Sequence, residues 1–121
     1  HTQMSDCGMK AKTVFVESLA SSAADLYTVP NNMRAKLVLI FVSNSSGSTR
    51  SDTNVTINFD STEITVLGDK SLSSGDFIEL QMNGGYVMLE AGYKIKGSCA
   101  GGTGVSCILT VEEVPFIVST N

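Results

Sequence analysis

Apolar residues in this chain alternate with polar ones, and in no window do they recur at helical spacing over three turns. A period of two commits the chain to strands, each with one face turned inward and one outward. Thr13 to Glu17 reads as a first strand and Asp25 to Val29 as a second, ended by a turn at Pro30-Asn31-Asn32. Between them, only Glu17 to Asp25 has room for a short helical turn. Met33 to Ser43 is the longest strand, followed by a hydrophilic loop over Asn44 to Asp52. Val55, Ile57 and Phe59, then Ile64 and Val66, alternate with polar residues around an Asp60-Ser61 corner. Pairing Ile57 with Ile64 and Val55 with Val66 sets all four on one face of a hairpin.

The second half repeats the theme. Phe77 to Met82 and Gly85 to Leu89 flank Asn83-Gly84, and this dipeptide tolerates the positive φ of a tight hairpin turn. The register it implies pairs Leu80 with Val87 and Ile78 with Leu89. Tyr93 to Cys99 and Val105 to Val114 flank a glycine-rich loop, Ala100 to Gly104. Reflection about Thr103 sets Ile95 opposite Val111 and Cys99 opposite Cys107. A cross-strand disulfide and two buried free thiols both fit that pairing. Cys7 is the third cysteine, and the spacing of the three matches no metal-ligand pattern.

Short strands at ~8–12-residue spacing with turn signals between them predict an all-β fold, an antiparallel β-sandwich that is Greek-key or jelly-roll-like. With 121 residues and 42% hydrophobic residues, the chain has enough material for one core. A single domain is expected over residues 13–114, with an N-terminal arm at 1–12 and a C-terminal tail at 115–121.

Charge excludes several classes of function. The net charge is −4, and Lys10, Lys12, Arg34, Lys36, Arg50, Lys70, Lys94 and Lys96 are scattered, so no phosphate-binding stripe forms and nucleic acid is not an expected partner. The longest apolar run, Leu37 to Val42, is far below the ~20 residues of a membrane-spanning helix, and a soluble protein is expected. No charged start, apolar stretch and small-residue cleavage site precedes the first strand, so no secretion signal is read.

Catalytic chemistry finds little support. His1 is the only imidazole, so no nucleophile has a histidine base within the body of the chain. Glu112 and Glu113 are neighbours on a strand and point to opposite faces; with Glu79 and Glu90 they read as solvated surface charge. Asp52, Asp60, Asp69 and Asp76 lack the alternating ligand spacing of a calcium loop. No enzyme, cofactor or metal is expected. Asn44-Ser45-Ser46 and Asn54-Val55-Thr56 match the glycosylation pattern. A carbohydrate-binding sandwich is the alternative from another class, and it would have to use Tyr27, Tyr86 or Tyr93, since Trp is absent.

Two features point to assembly. Leu37, Val38, Leu39, Ile40, Phe41 and Val42 are apolar on both faces of their strand, so the outer face needs a second cover. A neighbouring subunit, or the chain's own N-terminal strand or tail, supplies it. Phe116, Ile117 and Val118 follow Pro115, which is expected to stop the ladder, and form an apolar tail suited to a docking groove. A homo-oligomer follows.

Tyr27-Thr28-Val29-Pro30, the apolar strand ending Val42-Ser43-Asn44, Gly75-Asp76-Phe77-Ile78-Glu79-Leu80 and Leu89-Glu90-Ala91-Gly92-Tyr93-Lys94-Ile95 together resemble small virion proteins of tailed bacteriophages. The resemblance covers roughly Tyr27 to Val114. It implies a β-sandwich on a phage particle, assembled in the host cytoplasm, that acts by contact with the major capsid protein or other virion proteins. A capsid decoration protein is the expected form, and a neck or tail ring component or fibre adaptor the alternative.

Overall fold

The structure is a computed structural model and describes residues 8–115. The strands are β1 (Lys10–Val16), β2 (Ala24–Thr28), β3 (Met33–Asn44), β4 (Arg50–Phe59), β5 (Thr62–Leu72), β6 (Phe77–Gln81), β7 (Val87–Leu89), β8 (Lys94–Cys99) and β9 (Val105–Pro115). Sheet A runs β1-β9-β3-β6, with β7 also on β3, and sheet B runs β2-β8-β4-β5. All pairs are antiparallel. The two sheets pack face to face around Leu37, Ile40, Val55, Leu89, Ile95, Leu109 and Val111, so the expected single β-sandwich is what forms, with jelly-roll strand order.

Consecutive strands mostly cross between the sheets instead of pairing with each other. In the Glu17 to Asp25 stretch, which had room for a short helical turn, β2 begins at Ala24 and residues 17–23 form an irregular crossing from sheet A to sheet B. It is anchored by Leu19 N–H donating to Val105 O at 2.7 Å and by Cys99 N–H donating to Ala20 O at 2.7 Å. The glycine-rich loop is another such crossing: β8 pairs with β2 and β4, whereas β9 pairs with β1 and β3. The expected β8–β9 hairpin is therefore absent, and with it the register that set Cys99 opposite Cys107. Gly101 permits this path, because a Cβ there would stand 2.4 Å from Ser51 O.

The Asn83-Gly84 turn forms as expected, with Asn83 at φ 48°, Gly84 at φ 91° and Gly85 N–H donating to Met82 O at 2.8 Å. It does not make a hairpin. β6 and β7 both pair with β3, through Leu39↔Gln81 and Leu37↔Val87, so Met82 to Tyr86 bulge out of one interrupted edge strand. Turn chemistry fixes the local φ values, but the strong apolar face of β3 decides which strand each arm pairs with.

Two boundaries and one register differ from expectation. β1 begins at Lys10, inside the expected arm. β9 includes Pro115, which pairs with Met33, so the proline does not stop the ladder before it as expected. In the β4–β5 hairpin Ile57 does pair with Ile64, but a bulge then sets Val55 opposite Leu67 instead of Val66. That shift turns Leu67 toward the core and leaves Val66 exposed.

Candidate assembly surface

The apolar run in β3 is split by a β-bulge. Leu37 pairs with Val111 and Leu39 with Thr110, leaving Val38 as the extra residue. In an unbroken strand Leu37, Leu39 and Phe41 would share one face and Val38, Ile40 and Val42 the other. The bulge shifts the alternation by one, so Leu37, Ile40 and Val42 are buried between the sheets, while Val38, Leu39 and Phe41 remain only half-buried. Three residues expected at an interface are therefore core residues covered by the chain's own sheet B. The other three stay available on the outer side. Phe116, Ile117 and Val118 lie outside the described residues.

Phe41 belongs to a row that crosses the whole outer face of sheet A. In β1, Val14 and Val16 pack toward the core and Phe15 between them points outward, 75% exposed. In β9, Cys107 and Leu109 are buried and Ile108 between them is 37% exposed. In β6, Ile78 packs inward and Phe77 is 59% exposed. The registers align these residues: Phe15 is opposite Ile108, Ile108 opposite Phe41, and Phe77 sits diagonally beside Phe41 with ring centroids 5.3 Å apart. The next row toward the bulge reads Thr13, Thr110, Leu39 and Gln81. Glu79 is the charged residue these two rows contain, and Gln81 Nε2 donates to its Oε2 at 2.6 Å. Alternation alone would put polar side chains at all four outward positions, so the row is a departure from the pattern that solvates one face of an antiparallel sheet.

The polar groups that reading by residue type had put at the surface brace the fold instead. Glu113, expected as solvated, is 8% exposed and accepts a hydrogen bond from Tyr27 Oη at 2.5 Å, linking sheet A to sheet B. Lys12 Nζ stands 3.7 Å from the same carboxylate and 5.8 Å from the Tyr27 ring centroid. Burial, then the bond to Glu113, then its charge, push the Tyr27 hydroxyl well above its ordinary pKa. Tyr27 and Glu113 are 86 positions apart, and no local signal joins them. Asn44, the first glycosylation candidate, is 1% exposed, and its amide donates to Ser48 O, Leu72 O and Ser73 O, so its nitrogen is already committed. Asn54, the second, exchanges hydrogen bonds with Asp69 in the bulged part of β5.

Cys99 and Cys107 are buried free thiols. Thr53 Oγ1 donates to Cys99 Sγ at 3.5 Å, and the Cys99 thiol faces Ser51 O at 3.5 Å. Cys107 lines a shallow apolar crevice with Val14, Val16, Leu26 and Leu109, and burial pushes its pKa up to about 12. At neutral pH it is protonated and a poor nucleophile. Among the described residues no three His, Cys, Asp or Glu side chains gather as a metal site. Nor do the tyrosines form one platform: Tyr27 is buried, Tyr93 packs edge-on against Phe59 at 5.4 Å, and Tyr86 lies under Lys36 Nζ at 4.6 Å.

No protein-family model matches the chain, and no curated protein is similar to it at a significant level. Among solved structures, a chain from Bacillus endospore appendages, described as a novel family of disulfide-linked pili, superposes with a TM-score of 0.49 and 12% sequence identity, over 91% of this chain and 90% of that one.

Proposed function

We propose that this chain is a non-enzymatic structural protein, a subunit that works by contact with other protein subunits in a larger assembly. The observation that supports this reading is the outer row of sheet A, where Phe15, Ile108, Phe41 and Phe77 stand on four neighbouring strands on the side away from sheet B, and no described element is layered over them. Burying each such side chain would contribute about 1.5–3 kcal/mol before ordering costs. Rigid sheets hold the row in place, so little conformational freedom is lost on contact.

The narrower form of the reading, a decoration protein bridging major capsid subunits of a phage, rests on the sequence resemblance. A neck or tail position is its rival within the same class, and copy number separates them. Electron microscopy and quantitative mass spectrometry of particles purified from the native source test both levels. The expected result is the chain in regular copies in a particle, in hundreds for a shell protein and about a dozen or fewer for a ring. Recovery of the chain only as a free monomer, with no particle containing it, refutes the structural reading.

A further inference from the structure

We propose that the outer face of sheet A is the contact between two copies of this chain, packed face to face about a two-fold axis running along the strands between β9 and β3. The inference rests on the structural reading above and names its surface and its partner.

Three observations converge on a second copy. The first is area. Taking roughly 200 Å² for a phenylalanine side chain, Phe15 and Phe77 leave about 270 Å² open between them. Ile108, Phe41 and Leu39 bring the patch to about 400 Å², within the ~300–600 Å² of the largest apolar patch on a typical monomer. A standard interface buries about 800 Å² per partner. The row thus supplies an apolar centre of about half that area, and the surrounding Thr13, Thr110, Ser43, Ser106 and Gln81 supply a polar rim, with Glu79 its charged member on β6.

The second is charge. Glu79 is the charged group in the two central rows, and it stands on β6 at the margin of the sheet. The adjoining outward row carries Glu112 on β9 opposite Lys36 on β3, and an axis between these strands sets each over its opposite charge, so an identical copy meets attraction there and not repulsion.

The third is the shape of the row. Ile108 and Phe41 stand in the middle on β9 and β3, Phe15 flanks them on β1, and on β6 the row ends at Glu79 with Phe77 diagonally beside Phe41. A two-fold axis along the strands keeps height along them, so it sets Ile108 over Phe41 of the partner subunit and Phe41 over the partner's Ile108, while Phe15 comes over the β6 edge at Glu79 of the partner subunit, two residues along from the partner's Phe77. This is the reciprocal contact an isologous interface requires. Two twisted sheets stacked this way sit ~10 Å apart, the spacing of an ordinary sandwich core.

Sedimentation equilibrium on the full-length chain at 1–100 μM (about two decades around a micromolar dissociation constant) tests the proposal with two variants. Phe15→Ser removes an outward side chain that is 75% exposed and stands outside the buried core cluster, and Ile108→Lys places a charge at the centre. Both are checked for unchanged circular dichroism. The wild-type chain is expected to be dimeric, and Phe15→Ser to weaken the dimer by about 100-fold or more, because the residue is lost twice per dimer. A folded Ile108→Lys variant is expected to be monomeric throughout. A wild-type monomer at the highest concentration overturns the proposal. So does a dimer that both variants leave intact. In either case, presence of the wild-type chain in native particles would keep the structural reading, and absence from any particle would remove that as well.

Discussion

Replacing Tyr27 by Phe removes one atom and leaves the Glu113 carboxylate, 8% exposed, without its 2.5 Å donor. Lys12 remains 3.7 Å away, on a side chain that is half in solvent, so it compensates only in part. A hydrogen bond to a charged group contributes about 1.5–3 kcal/mol, and breaking one from a single side adds the desolvation of the orphaned acceptor. The expected loss is about 2 kcal/mol, or roughly 6–10 °C in melting temperature for a domain of this size. Urea titration followed by far-ultraviolet circular dichroism reads it directly. The pH dependence supplies a second signature. The Tyr27 pKa is raised in the folded state, so above about pH 10 the unfolded chain loses this proton first and stability falls as pH rises. In Tyr27→Phe that part of the alkaline slope disappears. A variant within 0.5 kcal/mol of wild type (about the scatter of surface substitutions), with the same alkaline slope, would refute the idea that this bond ties the two sheets together.

Other consequences are simpler to read. Leu37→Ala, at a fully buried site, should cost about 2–5 kcal/mol, whereas Phe15→Ser should change monomer stability by less than about 0.5 kcal/mol, which equilibrium unfolding of both will compare. Gly101→Ala should destabilise by about 1–3 kcal/mol, since the added methyl meets the Ser51 backbone; calorimetry showing no change would mean the loop yields freely. Cys99 and Cys107 should react with a thiol reagent only on unfolding, and a reductant should leave the melting temperature unchanged; a reductant-induced drop would reveal a bridge. Cys107, with its pKa raised to about 12, adds to the loss of stability above about pH 9, and Cys107→Ala should remove that contribution.

How far the sequence leads is clearest from individual residues. Alternation identified the strands and their inward residues, because burial on one face leaves a local, period-two trace. It failed at Val38, where a single bulge moves Ile40 and Val42 into register with Leu37, and no residue type announces such a slip. Asn83-Gly84 was legible as a turn and misread as a hairpin, since φ preferences are local but the choice of partner strand is not. The same limit undid the Cys99–Cys107 pairing: a short glycine-rich loop can reverse the chain within a sheet or carry it across to the other. The outer row emerged only once Phe15, Phe41, Phe77 and Ile108, far apart in sequence, were brought side by side by strand order. Tyr27 and Glu113 are a further case, where two ordinary polar residues become a buried link only through the stacking of two sheets.

The most direct measurement is an electron cryomicroscopy map of the native assembly that contains this chain. Protein density packed against the outer face of β1, β9, β3 and β6, over Phe15, Ile108, Phe41 and Phe77, is the result expected. A map in which that face looks onto open solvent, and the subunits touch elsewhere, would contradict it.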